Sequence, residues 1–171
     1  MRGALPAKLL FKARQSRWGL FVLNLLLART IPFNAPHRFR IREIGEGRVV
    51  AFAPYRKRNF NHIRGIHACA IATVAEFAAG LMLLTKLDPA RYRIIMARLD
   101  AVYFYQAKED ITARADLSAE RAEKEVIAVL ENSEAATIEM TTIVEDLSHN
   151  RVAEVKTTWQ VKRWDRVRTR V

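Results

Sequence analysis

The sequence predicts an α+β fold in which a curved antiparallel sheet wraps around one long central helix. Three observations predict it. Residues 66–84 form a nearly unbroken apolar run, typical of a helix that must be covered on every side. The strand-like segments are joined by short connections, which favours antiparallel pairing. At 171 residues, 50% of them hydrophobic, the chain suits one domain with a sizeable core.

The N-terminal segment, residues 1–36, is predicted to form one or two amphipathic helices that pack on a body of residues 37–171. Nine Lys or Arg occur among the first 42 residues, and no acid precedes Glu43. The apolar block 18–28 is about half as long as a membrane span requires, and no small-x-small cleavage site follows it. The residues expected to pack on the body are Leu9, Leu10, Phe11, Phe21, Leu25 and Leu26. The alternatives are a peripheral membrane contact through residues 5–31 and a mitochondrial-type targeting segment; otherwise we expect a cytoplasmic location.

The body is predicted to begin with a hairpin. Apolar residues alternate at Phe39, Ile41 and Ile44, and the pattern resumes after a turn at 45–47. The central helix should end at the Lys-Leu-Asp-Pro sequence, residues 86–89. The elements predicted after it are two strands joined at 108–110, a helix over 119–132, and two strands around a turn at 148–150.

Asn61, His67 and Glu76 carry the most specific signal in the chain. His67 follows Asn61 by six residues, and Glu76 follows His67 by nine. This spacing resembles the active-site signature of hotdog-fold thioesterases, such as the PaaI-type acyl-coenzyme A thioesterases, where an Asn precedes a His-Gly-Gly entry into the central helix. The segment RNFNHIRGIHACAIATVAEFAAGL is similar to the hotdog subfamily called domain of unknown function 4442 (DUF4442). The resemblance covers roughly residues 38–164 and is sharp over 59–80.

The resemblance implies hydrolysis of acyl thioesters carried on coenzyme A or on an acyl carrier protein. Glu76 would be general base or nucleophile, Asn61 would orient water or the carbonyl, and His67 would complete the catalytic set. The backbone amides of Ala68 and Cys69 would hold the oxyanion. Several positions depart from the family pattern. Ala68 and Cys69 replace its two glycines, Arg64 replaces its glycine three residues before the His, and no Ser or Thr lies between Thr85 and Thr112.

The spacing of His67 and Glu76 also predicts a dimer. Nine helical residues turn by about 900°, which places the two side chains on opposite sides of one helix. They can meet across a two-fold axis, so we expect a homodimer or a dimer of dimers with shared sites. Arg58, Arg64 and Asn59 flank the site and are expected to contact substrate. We expect no metal and no cofactor beyond the coenzyme A of the substrate.

Other interpretations stay open. Glu76 could be a buried structural carboxylate, His67 a helix cap, and Asn61 and Asn59 turn formers. The chain could bind acyl thioesters without hydrolysing them. Its net charge of +11 could serve a membrane surface or a nucleic acid. The basic residues are spread without aromatic interleaving, so we expect no nucleic-acid partner.

Overall fold

The computed structural model describes residues 7–167, and its elements follow the predicted order. The helices are α1 (Ala7–Gln15), α2 (Arg17–Thr30), α3 (Ala68–Lys86), α4 (Ala119–Ala122) and α5 (Ala128–Asn132), with a π-helical turn at Glu123–Ile127. Single 3₁₀ turns occupy Lys57–Asn59 and Trp164–Arg166. The strands are β1 (Arg40–Ile44), β2 (Arg48–Ala53), β3 (Tyr92–Tyr103), β4 (Ile111–Asp116), β5 (Ala136–Asp146) and β6 (Arg151–Arg163).

The six strands form one sheet in the order β1-β2-β4-β5-β6-β3, and every neighbouring pair is antiparallel, as predicted. Strands β3 and β4 are consecutive in the sequence but lie apart in the sheet, with β5 and β6 between them. The link 104–110 therefore crosses the start of α3. There the carbonyl of Ala107 accepts a hydrogen bond from the backbone N–H of Ile66 at 2.9 Å. This crossing brings the end of β3 beside the start of the central helix.

Helix α3 packs on β2, β4 and β5, and the curved sheet surrounds it on that side. The buried residues of α3 are Ala70, Ile71, Val74, Ala75, Phe77, Ala78, Ala79, Leu81, Met82 and Leu83. Many of them are alanines, and β2 and β4 also contribute buried alanines, so helix and sheet approach closely. The predicted hotdog fold is confirmed. The helix begins and ends two residues later than the predicted range of 66–84.

Both predicted hairpin turns are present. At 45–47 the N–H of Gly45 donates to the carbonyl of Arg48 at 2.7 Å, and after β5 the carboxylate of Asp146 accepts from the N–H of Asn150. In β1 the pairing register shifts between Ile41 and Glu43. This bulge keeps Ile41 and Ile44, which are three residues apart, on the buried face.

One edge of the sheet is closed and the other is open. The side chain of Asn24 on α2 bonds to both backbone groups of Ile41 in β1: its Oδ1 accepts from the N–H at 2.7 Å, and its Nδ2 donates to the carbonyl at 2.9 Å. Asn24 thus takes the place of a neighbouring strand. The opposite edge, β3, is 12 residues long and pairs only with β6 among the described residues. It is left with unpaired backbone groups.

The N-terminal helices are present, but their predicted packing face is partly wrong. Leu10 is buried, and Leu9 and Leu26 pack at the edge of the core, as expected. The expectation fails for Phe11, Phe21 and Leu25, which are exposed. In α2 the buried positions are instead Gly19, Leu23 and Leu27. A helix that is apolar on all sides does not indicate which side meets the body. Residues 1–6 of the predicted segment lie outside the described residues, and a domain boundary at residue 36 stays a prediction.

The predicted helix over 119–132 is confirmed, with a π-helical middle turn. Ser118 caps it, because its Oγ accepts from the N–H of Arg121 at 3.1 Å. The buried residues of this segment are Ala122, Val126 and Leu130. Their spacing of four residues exceeds one α-helical turn, and the wider π turn keeps them on one face.

Candidate active site

The loop that leads into α3 is held by Asn61. Its Oδ1 accepts hydrogen bonds from the N–H groups of Ile63, at 3.1 Å, and of Gly65, at 2.9 Å. The N–H of Asn61 also donates to the carbonyl of Gly65 at 2.8 Å. The amide oxygen is therefore occupied by the loop, and the Nδ2 group is what Asn61 offers to a ligand.

Arg64 adopts the backbone conformation usually reserved for glycine. Its φ is 59°, in the left-handed region, and its carbonyl accepts a hydrogen bond from the hydroxyl of Tyr55 at 2.6 Å. Such a conformation costs a non-glycine residue about 1 kcal/mol or more. Gly65 lies under the crossing link, where a Cβ would stand 2.8 Å from Cγ of Gln106. The loop thus has a glycine, Gly65, at the position where space is short, and an arginine, Arg64, at the position with the left-handed backbone conformation.

His67 is the N-cap of α3. Its Nδ1 accepts a hydrogen bond from the N–H of Cys69 at 3.1 Å, and the ring is exposed. The cap requires a lone pair on Nδ1, so in the neutral ring the proton lies on Nε2, which is available as a donor. This changes the predicted oxyanion site, because the Cys69 amide is already bonded. Within residues 7–167 the N–H of Ala68 has no partner, so it is the remaining amide donor at the helix start.

Tyr103 also reaches the helix start, and it is not among the site residues predicted from the sequence. It lies at the end of β3, and its hydroxyl donates to the carbonyl of Ala68 at 3.1 Å. Burial raises the pKa of Tyr103, and the nearby Cys69 thiol raises it further. The phenol therefore stays protonated. The sequence signal that could have identified Tyr103 is its position as an aromatic residue at the end of the strand that follows the central helix.

Glu76 lies on the side of α3 opposite to the N-cap residue His67. Six of the incompletely buried residues of α3 form a stripe along one side of the helix, which we call the open stripe: Cys69, Ala72, Thr73, Glu76, Gly80 and Leu84. Glu76 is half-buried, and burial raises the pKa of its carboxyl group. Within residues 7–167 it has no hydrogen-bond or ion-pair partner. An unpaired, partly desolvated carboxylate is costly for stability and suited to accepting a proton.

Two neighbours shape the surroundings of Glu76. A Cβ on Gly80 would lie 3.0 Å from the ring of Trp159 and 3.7 Å from Oε1 of Glu76, so indole and carboxylate share the space above this glycine. Thr73, three residues before Glu76 on the open stripe, donates its hydroxyl to the carbonyl of Cys69 at 2.7 Å. The hydroxyl oxygen keeps lone pairs for a water molecule. The i−3 spacing from Glu76 was the signal that identifies Thr73 in the sequence.

The structure therefore brings together only part of the predicted site within one chain. Asn61, His67 and Ala68 meet at the helix start, whereas Glu76 lies about 13 Å further along the axis and half a turn around it. Within residues 7–167 no group of three or more His, Cys, Asp or Glu side chains is placed to hold a metal ion.

Of the three predicted substrate contacts, Arg58 and Arg64 are exposed beside the helix start. Asn59 is not available, because it is 1% exposed and its side chain is fully used. Its Nδ2 donates to the carbonyls of Pro54 and His37, and its Oδ1 lies 2.9 Å from Nδ1 of His37. Asn59 is therefore part of the scaffold that holds the loop.

The chain matches a known protein family and resembles several solved structures. The family profile described as "Domain of unknown function (DUF4442)" matches residues 20–161. The chain is similar to the protein of unknown function PA5026 from Pseudomonas aeruginosa, described as "Probable Thioesterase": identity is 25%, coverage is 95% of this chain and 99% of that one, and the TM-score is 0.78. Thioesterase HI1161 from Haemophilus influenzae is similar in fold, with 16% identity, coverage of 84% and 90%, and a TM-score of 0.67. A mutant of thioesterase PA1618 from P. aeruginosa shares the fold with 14% identity, coverage of 84% and 94%, and a TM-score of 0.67. No curated protein matches the chain.

Proposed function

The chain belongs to the DUF4442 family and has the hotdog fold, and on that premise we propose that it is an acyl thioesterase. Its substrates would be acyl groups carried on coenzyme A or on an acyl carrier protein. The observation that carries the proposal is Glu76, an unpaired, half-buried carboxylate with a raised pKa on the open stripe. The likeness to PA5026 supports the same class of reaction.

The proposal includes a homodimer, alone or within a dimer of dimers. Among the described residues, the open stripe of α3 and the free edge of β3 both lack cover, and both lie in the hotdog body. The large apolar or aromatic residues exposed along β3 are Ile95, Met96, Val102 and Tyr103. Pairing of two β3 strands about a two-fold axis would satisfy both edges, while Asn24 already closes the other edge of each sheet.

In such a dimer the start of one α3 would face the middle of the other. The partner's Glu76 accepts a proton from water while the water oxygen attacks the thioester carbonyl carbon. The developing oxyanion accepts hydrogen bonds from the Ala68 N–H and from Nε2–H of His67. The C–S bond then breaks, and the thiolate takes up the proton, which gives a carboxylic acid and a thiol. If Glu76 attacks directly, an anhydride forms and water hydrolyses it to the same products.

Arg58 and Arg64 would contact the phosphates of coenzyme A. Both are exposed beside the helix start, and neither forms an ion pair within residues 7–167. A guanidinium group matches the geometry of a phosphate and stays charged at any physiological pH. Loss of either side chain would raise KM for acyl-coenzyme A and leave kcat nearly unchanged.

A second candidate is a protein that binds acyl thioesters without hydrolysing them. The specific observation in its favour is the Cys69 N–H, which is occupied by His67 and so lost as an oxyanion donor. Loss of one such donor typically costs a factor of about 100 to 1000 in kcat.

The test is thiol release from acyl-coenzyme A substrates of graded chain length, with equilibrium binding measured in parallel. We expect turnover by the wild type and loss of most of it in Glu76→Gln, because an amide does not accept the proton. Glu120→Gln, an exposed change on α4, is the matched control and should keep full activity. Binding without turnover of any substrate would favour the second candidate. Unchanged kcat in Glu76→Gln would return Glu76 to a structural role.

A further inference from the structure

Helix α2 carries an apolar surface that the body does not cover. Trp18, Phe21 and Leu25 follow one another at i, i+3 and i+7, on the side opposite the buried Leu23 and Leu27. Their side chains are 73%, 58% and 52% exposed. The rings of Trp18 and Phe21 are stacked, with centroids 5.4 Å apart. We call these three residues the outer stripe. Contiguous exposed apolar groups of this kind mark interaction surfaces.

The outer stripe is held in a fixed orientation. Leu23 and Leu27 anchor α2 in the core, and Asn24 bonds to the edge of β1. Helix α1 packs so closely on α2 that a Cβ on Gly19 would lie 2.3 Å from the carbonyl oxygen of Lys12. Burial of Trp18, Phe21 and Leu25 against the body would require this packing to be broken.

The surroundings of the outer stripe are basic. Lys8, Lys12, Arg17 and Arg29 are exposed on the same two helices, and Arg29 continues the stripe one turn after Leu25. No acidic residue occurs in the sequence before Glu43. Within residues 7–42 only Arg14 forms an ion pair, with Glu46 at 3.6 Å. Arg40 and Arg42 flank Ile41, the residue that Asn24 binds, and so extend the basic surface onto β1.

We propose that the outer stripe and these basic side chains dock the protein on a lipid bilayer that contains anionic lipids. Aromatic and aliphatic side chains would enter the interface between headgroups and acyl chains, and the cations would contact lipid phosphates. A second copy of the chain fits less well, because a two-fold contact through this surface would bring like charges together. The proposal is independent of the thioesterase activity.

The test is co-sedimentation of the full chain with vesicles of phosphatidylcholine, alone or mixed with phosphatidylserine. We expect binding to the mixed vesicles that weakens as salt is added, and little binding to phosphatidylcholine alone. The triple variant Trp18→Gln, Phe21→Gln and Leu25→Gln should bind at least tenfold more weakly. The matched control, Val129→Gln with Leu147→Gln, removes exposed apolar side chains elsewhere and should bind like the wild type.

Quenching by brominated lipid locates the contact directly. Of the other two tryptophans, Trp159 is buried and Trp164 is 38% exposed, so Trp18→Phe measures any quenching that they contribute. Quenching that disappears in Trp18→Phe while binding persists would place Trp18 in the bilayer. Equal binding by the triple variant would overturn the proposal. So would equal binding to both kinds of vesicle. If light scattering shows that the triple variant has lost a subunit, the outer stripe is a contact with a second copy of the chain instead. Each variant is first shown to unfold at the wild-type temperature.

Discussion

Mixing two inactive variants would test directly whether the proposed site is shared between two chains. His67 caps α3 and Glu76 lies nine residues further, so along one helix the two groups are about 13 Å apart in rise and half a turn apart in angle. The first variant is His67→Asn, which keeps an N-cap acceptor for the Cys69 N–H while removing the imidazole. The second is Glu76→Gln, which keeps the shape of the side chain.

The expected recovery follows from the symmetry. In a mixed dimer, one site lacks both groups and the other has both His67 and Glu76 intact. Random pairing of equal amounts gives mixed dimers in about half of the population, each with one good site of two, so activity should recover to about a quarter of the wild-type value. A site within one chain would give no recovery.

The assay is thiol release after the two variants are co-expressed or refolded together, with subunit exchange verified by native mass spectrometry. Glu76→Gln mixed with Glu76→Ala is the matched control, because neither chain supplies the carboxylate and activity should stay absent. No recovery from two folded, exchanging and individually inactive variants would refute the shared site. A His67→Asn variant that is active by itself would remove His67 from the catalytic set.

Three further predictions concern stability. Because burial raises the pKa of Glu76, the unfolded chain releases this proton at lower pH than the folded chain, and stability from this group is lost as pH rises from the ordinary glutamate pKa to the raised one. Denaturation at graded pH should therefore show that the free energy of unfolding of Glu76→Gln increases relative to that of the wild type as pH rises. A difference in stability that does not depend on pH would contradict this. Gly19→Ala should lower the free energy of unfolding by about 1–3 kcal/mol, because its Cβ meets the backbone of Lys12. Gly45→Ala, where the nearest atom is 3.6 Å away, is the control and should cost clearly less, and equal losses would argue against the close helix contact. Arg64→Gly should unfold at the same denaturant concentration as the wild type or a higher one, because φ is 59° there; a marked loss of stability would show that the conformation is not strained.

The secondary-structure elements and the spacing of the proposed site follow from the sequence alone. The apolar run predicted α3 to within two residues at each end. A helix of this length that is apolar on every side appears in the sequence as one continuous run of apolar residues. The alternation of Phe39, Ile41 and Ile44 predicted β1, and even its three-residue step reflects the bulge. The half-turn between His67 and Glu76 is a property of helix geometry alone.

Which faces are covered, and which polar groups stay free, depends instead on how the elements pack together. The sequence did not show that Asn59 is buried and bonded to Pro54 and His37. Nor did it show that Phe21 and Leu25 face outward, because α2 is apolar on both sides. Separation of β3 from β4 likewise depends on pairing between strands distant in the chain. Local periodicity predicts the secondary structure of a segment, whereas its burial and its long-range hydrogen-bond partners depend on the segments that pack against it.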